Sequence, residues 1–333
     1  MYERAIDFVA VTETSPTVTV ALPVLDEAVH LEAALDSIAD QSYPFIMEVL
    51  VVDGGSNDRT REIARAYPRL AVRVLDNPKR IQSAALNVAL KEARGEVFLR
   101  VDGHCVLEPD YVERCVSALI ESGAALVGGG MTPDSAGTIQ RGIAKAMASR
   151  FGAGPARFHT GGPSGWVDTV YLGAFRTELG RLVGGYAEDV GVNEDAELAI
   201  RLGRVGGVWY DPDIRSHYIP RGAVRDVARQ FYGYGHSRAL TVRHHPESLR
   251  LRQLLPPLLV LGIASPWRRK VAMVYGGTIV ARAALELTRD PRAVPGFVAS
   301  LPTMHLAWGS GFLTGLVHQK TRPPSWCNRA SLP

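Results

Sequence analysis

Hydrophobic and polar positions follow two alternating periods through the first third of the chain. Short apolar runs rich in β-branched residues occupy 18–22, 48–53, 71–75 and 97–102. Between them, 29–39, 58–66, 82–93 and 111–121 carry apolar residues at helical spacing. Continuous apolar strands alternating with helices predict an α/β fold whose mostly parallel sheet is flanked by helices on both faces. Ligands of such sheets bind beyond the carboxyl ends of the strands. Three polar motifs fall there: residues 23–27, 53–58 and 102–104.

Further along, 128–165 is rich in Gly, Pro and Ser and reads as a long, partly mobile segment. Helical periodicity resumes at 194–204, behind an acidic start that suits a helix N-terminus. Residues 224–239 are basic, aromatic and helical in pattern. Three apolar blocks follow. The first, 254–264, is too short to cross a bilayer, and 271–287 carries Arg282 and Glu286. Residues 293–317 contain no Asp, Glu, Lys or Arg and exceed the roughly 20 residues a spanning helix needs. Basic residues flank the blocks at Arg268-Arg269-Lys270 and at Lys320 and Arg322, as cytoplasmic flanks do. The expected organisation is an N-terminal tail (1–15), a catalytic domain (16–240) and a helical, membrane-associated C-terminal region (241–333). A helical tail packed on the catalytic domain is the alternative reading of that last region.

Composition narrows this picture. With 333 residues, 46% of them hydrophobic, the chain can fold as one large or two medium domains. A net charge of +3 is too small for a nucleic-acid binder. Three cysteines, Cys105, Cys115 and Cys327, give no disulfide framework and suit a reducing compartment. The first fifteen residues lack the basic start and long apolar core of a signal peptide, which places the catalytic part in the cytoplasm.

The polar motifs carry candidate chemistry. In Asp53-Gly54-Gly55-Ser56-Asn57-Asp58, the glycines allow close approach of a ligand and Asp53 can accept from a base N–H; a capped strand–helix turn reads equally well. Asp102-Gly103-His104 sets a carboxylate and an imidazole at a strand end, where both can reach one divalent cation bridging two phosphates. A histidine ligand favours Mn²⁺ over Mg²⁺. A helix-capping Asp beside a loop His is the alternative. Asn193-Glu194-Asp195 offers a carboxylate to take a proton from an acceptor hydroxyl, or a macrodipole cap. Gln230, Tyr232, Tyr234 and Arg238 can contact a sugar and a phosphate, or lie at a membrane surface.

The series Leu22-Pro23-Val24-Leu25-Asp26-Glu27, Val51-Val52-Asp53-Gly54-Gly55-Ser56, Asp102-Gly103-His104 and Asn193-Glu194-Asp195 resembles the family 2 inverting glycosyltransferases of the GT-A fold. Residues 100–104, 167–176, 210–212 and 230–238 extend the resemblance to the bacterial exopolysaccharide enzymes of the succinoglycan type. The match covers roughly residues 16–238 and, more loosely, the tail near Met304-His305-Leu306-Ala307-Trp308-Gly309. It implies that Pro23 and Glu27 line the nucleotide pocket, that Asp53 reads the base and that Arg80 touches the diphosphate. It implies Asp102 and His104 as holders of Mn²⁺ or Mg²⁺, with Asp102 also at the nucleotide-sugar. Asp195 would be the general base with Glu194 supporting it, and Gln230 and Arg238 would lie near acceptor or diphosphate. The implied donor is a UDP-sugar such as UDP-glucose, the acceptor a lipid-linked saccharide or polysaccharide, and the location the cytoplasmic face of the cell membrane.

The chain departs from the wider family at three points. Asp26 replaces the commoner Asn, His104 replaces the second metal-site acid, and Gln230-Phe231-Tyr232-Gly233-Tyr234 stands where processive enzymes carry Gln-x-x-Arg-Trp. The last change implies one sugar added per encounter. Transfer to a polyprenyl phosphate and a catalytically inactive nucleotide-sugar-binding scaffold are the competing expectations. A nicotinamide oxidoreductase lacks its Gly-x-Gly-x-x-Gly after the first strand.

Overall fold

The computed structural model describes residues 15–135, 137–218 and 222–317. The expected N-terminal tail, Cys327 and the basic residues Lys320 and Arg322 lie almost entirely outside them. The order is β1 (Val18–Val24), α1 (Leu31–Ala39), β2 (Ile46–Asp53), α2 (Thr60–Ala66), β3 (Val72–Asp76), α3 (Gln82–Glu92), β4 (Val97–Arg100), β5 (Cys105–Leu107) and α4 (Tyr111–Ser122). Next come β6 (Leu126–Pro133), α5 (Thr138–Met147), α6 (Arg157–Thr160), β7 (Gly165–Trp166), β8 (Tyr171–Arg176), α7 (Thr177–Leu182), α8 (Glu194–Gly206) and β9 (Val208–Tyr218). The C-terminal region is helical: α9 (Val224–His244), α10 (Leu255–Ala264), α11 (Arg268–Arg289) and α12 (Val294–Val317).

The strands form one sheet in the order β3-β2-β1-β4-β8-β6-β9-β5, with β7 on β9. The first four are parallel, as the apolar runs predict, and β8 is antiparallel to both β4 and β6. Val20, Leu22, Val49, Val51 and Leu99 point to one buried layer, and Ala21, Leu50, Val52 and Phe98 to the other. Burial on both faces is what makes these strands continuously apolar. Pro23 pairs with Val52 in β2 but lies beyond the last residue that pairs with β4, so its missing N–H does not interrupt the sheet centre.

Two expectations need correction. Residues 128–165 are not a long irregular segment: they hold most of β6, all of α5 and α6, and the start of β7. The glycines there serve close packing, because a Cβ on Gly129 would lie 1.7 Å from the Ile214 carbonyl oxygen of β9. Similarly, α12 does not present itself as the exposed apolar helix. Gly296, Phe297, Leu301, Met304, Gly311, Phe312 and Gly315 are buried. A Cβ on Gly311 would meet the Tyr232 carbonyl oxygen at 2.0 Å, and one on Gly235 the Trp308 carbonyl oxygen at 1.9 Å. Backbone thus lies against backbone where α9 crosses α12, and the glycines on both helices are what permits it. Among the described residues, the helix with the length and apolar character to cross a membrane is α11.

A third core joins α5, α9 and α12 through Ile143, Met147, Val227, Phe231, Phe297 and Leu301. Helix α9 therefore runs across residue 240 and belongs on its buried side to the helical region.

Candidate active site

The loops beyond β1, β2 and β3 are stitched together by side chains at the carboxyl ends of the strands. Asp26 stands in the left-handed region at φ 55°, which Asp tolerates better than most residues. Its Oδ1 accepts from Asn57 N at 2.7 Å, and its own N–H donates to Ser56 Oγ at 2.9 Å. Glu27 N donates to Thr60 Oγ1 and Ala28 N to Asp58 Oδ2. The Asp53 carboxylate accepts from Gly55 N, Ser56 N, Ser56 Oγ and Arg61 Nη1. Asp53 is buried and so holds the shape of this turn. Arg80, at φ 57°, brings its guanidinium over Gly55, whose Cβ would stand 3.6 Å from Nη1. Asp53, Gly55 and Arg80 therefore form one group beyond β2 and β3.

A second group lies beyond β4. Arg100 is buried at the end of that strand. Its Nε donates to Asp102 Oδ1 at 3.0 Å and its Nη1 to Glu194 Oε1 at 2.9 Å. Gln82, at the start of α3, donates to the same Asp102 oxygen at 3.1 Å. Among the described residues, Asp102 Oδ2 is hydrogen-bonded at 3.5 Å by Arg100 Nη2 alone. His104 Nδ1 lies 3.0 Å from Glu27 Oε1. Glu194 is buried and Asp195, beside it, is partly exposed. Burial pushes the Glu194 carboxyl up, to about 7; Arg100 pulls against that shift and Asp195 adds to it. The residue before them, Asn193, is left-handed at φ 68° and donates to the Tyr234 carbonyl, which ties α8 to α9. Backbone strain of this kind gathers at functional sites.

Gln82, Arg100, Asp102, His104, Glu194, Asp195, Gln230 and Arg238 all line one cavity of about 1720 Å³. Pro23, Glu27, Asp53 and Arg80 do not line it. Gln230 donates to Tyr234 Oη at 2.8 Å while its Oε1 is buried with no hydrogen-bond partner among the described residues. The Arg238 guanidinium is engaged by Ser248 and Gln253, so it also fixes the turn after α9. Away from the strand ends the same cavity is lined by Arg225, Arg229, Arg252 and Lys270, then by Leu255, Leu258, Val274 and Trp308.

Among the described residues, no cluster of three or more His, Cys, Asp or Glu could hold a metal unaided. Asp102 and His104 fit a cation whose remaining ligands come from elsewhere, because both face the cavity and Asp102 keeps one oxygen lightly engaged. Arg100 and Gln82 were not predicted to have roles here. An arginine between Leu99 and Val101 in a continuous apolar strand is the signal that marks Arg100.

Residues 19–179 match the family described as Glycosyl transferase family 2. The chain is 36% identical over 326 residues to the succinoglycan biosynthesis protein ExoA of Rhizobium meliloti, covering 93% of this chain and 98% of that protein. It belongs to glycosyl transferase family 2. This glycosyltransferase is thus related to ExoA, a succinoglycan biosynthesis protein, over nearly its whole length. Its fold is similar to that of the mannosyltransferase PcManGT from Pyrobaculum calidifontis in complex with GDP-Man and Mn²⁺, with a TM-score of 0.63, 21% identity and coverage of 95% and 93% of the two chains. It is also similar to S. aureus TarS 1-349 in complex with UDP, with a TM-score of 0.50, 17% identity and 90% of each chain covered. These similarities support the GT-A-like arrangement of a mixed, mostly parallel sheet flanked by helices.

Proposed function

We propose that this glycosyltransferase moves a hexosyl group from a UDP-sugar, with inversion, to a hydroxyl of a lipid-linked saccharide at the cytoplasmic face of the membrane. The observation that carries this reading is one cavity lined both by Asp102, His104 and Asp195 and by apolar residues of α10, α11 and α12. The group of Asp53, Gly55 and Arg80 beyond β2 and β3 is assigned to the nucleotide, with Asp53 shaping the turn from within and Arg80 supplying the charge. Asp195 takes the proton of the acceptor hydroxyl. The hydroxyl oxygen then bonds to the anomeric carbon as the bond from that carbon to the diphosphate breaks, and nucleoside diphosphate leaves. One displacement at one face inverts the configuration. Asp102 and His104 would hold a divalent cation, Mn²⁺ or Mg²⁺, which supplies charge neutralisation to the leaving diphosphate. Arg100 keeps Asp102 and Glu194 in fixed positions, and Glu194 at the start of α8 keeps Asp195 aimed at the cavity. Gln230, whose buried Oε1 has no hydrogen-bond partner among the described residues, is assigned to the acceptor, and Arg225, Arg229 and Lys270 suit an acceptor phosphate.

The membrane part of the reading rests on α10 and α11. Leu255, Leu258, Leu261, Met273, Val274 and Val280 are exposed on them, as is Trp267 in the turn between, beside Arg268, Arg269 and Lys270. Incubating the purified protein with a panel of nucleotide sugars, Mn²⁺ or Mg²⁺ and a bacterial lipid extract tests the function. UDP release and a lipid product heavier by one hexose, joined through a hydroxyl, are expected. No turnover with any donor overturns the reading. A product carrying the sugar on phosphate replaces it with polyprenyl-phosphate transfer.

A further inference from the structure

The sequence resemblance assigns Glu27 to the nucleotide pocket, but its side chain takes another direction. The residue is buried and is absent from the cavity wall that His104 helps to form. Its Oε1 stands 3.0 Å from His104 Nδ1, across 77 residues of chain. The backbone around Glu27 is fixed at both ends: its N–H donates to Thr60 Oγ1 at 2.8 Å, and its carbonyl accepts from His30 N and Leu31 N at the start of α1. Gly103 lies directly on the Glu27 stem. A Cβ there would meet Val24 Cγ1 at 2.9 Å and Glu27 Cγ at 3.2 Å. The middle residue of the Asp-Gly-His triplet is therefore small because the loop is pressed against Glu27.

A carboxylate only accepts hydrogen bonds, so this contact requires the imidazole proton on Nδ1. A neutral imidazole protonated there carries its lone pair on Nε2. Histidines that bind metals regularly donate their other N–H to a carboxylate, which fixes ring orientation and raises ligand basicity. We propose that Glu27 is a positioning residue for His104: it holds the imidazole as the Nδ1–H tautomer, so that Nε2 and the Asp102 carboxylate are the two protein ligands of the divalent cation. This rests on the metal-dependent reading given above. It also accounts for a histidine at a position where the family more often has an acid, because the carboxylate is supplied from behind the ring.

The test uses the full-length protein, its Glu27→Leu, Glu27→Gln and His104→Ala variants, and the Glu27→Leu/His104→Ala double variant. The probes are Mn²⁺ alone and Mn²⁺ with UDP, followed by EPR of free Mn²⁺. Glu27→Leu should weaken Mn²⁺ binding by about 10- to 100-fold, Glu27→Gln less, and the double variant no more than His104→Ala alone. A second readout is independent of metal. In the metal-free protein labelled with ¹⁵N-histidine, long-range proton–nitrogen correlation should show His104 protonated at Nδ1, and Glu27→Leu should abolish that preference. Wild-type affinity in Glu27→Leu, additive losses in the double variant, or a His104 proton on Nε2 overturns the proposal while leaving the metal site standing. Wild-type protein that binds no Mn²⁺ with or without UDP, or binding untouched by His104→Ala, overturns the metal reading and the proposal together. If Glu27→Leu does not fold, Glu27→Gln and the wild-type tautomer still decide it.

Discussion

Arg100 donates to Glu194 at 2.9 Å and so joins the end of β4 to the first turn of α8 across 94 residues of sequence. The same guanidinium holds Asp102 at 3.0 Å. One buried cation therefore sets the spacing between the carboxylate placed at the donor and the helix that presents Asp195.

Replacing Arg100 by Met leaves two carboxylates beside an unpaired, dehydrated position. Breaking a buried ion pair from one side costs about 3–5 kcal/mol. Chemical denaturation should show a loss of that size. Lys at this position should recover part of the stability and little activity, since an ammonium cannot span both partners in the geometry of a guanidinium.

The raised Glu194 pKa gives a pH prediction. Above about 7 the carboxyl is charged and pairs with Arg100; below it, protonation weakens that link. Turnover should therefore fall as pH drops through about 7. In Glu194→Gln the activity should be lower throughout and this acid limb should be absent, as measured by nucleotide release from pH 5.5 to 9.

Glu197 behaves in the opposite way. Burial opposes its ionisation, but hydrogen bonds from Arg201 and His245 outweigh burial and lower its pKa below the ordinary 4.5. A depressed carboxyl stabilises the fold above its unfolded value and loses that contribution as pH falls through the folded value. Stability should decline below about pH 4.5, and Glu197→Gln should flatten this part of the urea-unfolding profile while lowering stability at neutral pH.

The crossing of α9 and α12 admits no side chain at Gly235. Gly235→Ala places a methyl 1.9 Å from the Trp308 carbonyl oxygen, and overpacking of this kind costs about 1–3 kcal/mol. A lowered melting temperature is the expected result, with a larger drop for Gly235→Val.

The parallel half of the sheet was legible because its strands are buried on both faces and alternate with segments of helical apolar spacing. The positions of Asp102, Glu194 and Asp195 in one cavity followed from strand-end logic and from the family resemblance. The glycine-rich stretch from Gly128 was misread, since the composition that marks a loop also marks strands in close contact, and only Ile214 on a distant strand distinguishes the two. The apolar block 293–317 has the length and uncharged composition of a spanning helix, yet Gly311 and Gly315 of α12 meet the backbone of α9, and Gly296 and Gly309 that of α5 and α10. Glu27 and His104 are 77 residues apart, and nothing local announces their contact.

Asp195→Asn with unchanged donor binding tests the central claim most directly. Asp195 is the partly exposed carboxylate of its pair, and removing a positioned base costs about 10²–10⁴-fold in rate. Nucleotide release with the lipid acceptor should fall by that factor, while the affinity for UDP and Mn²⁺ measured by calorimetry stays within about twofold, since changes below about 0.4 kcal/mol in binding are small on this scale. Full turnover in Asp195→Asn would contradict the assignment of this residue as the base.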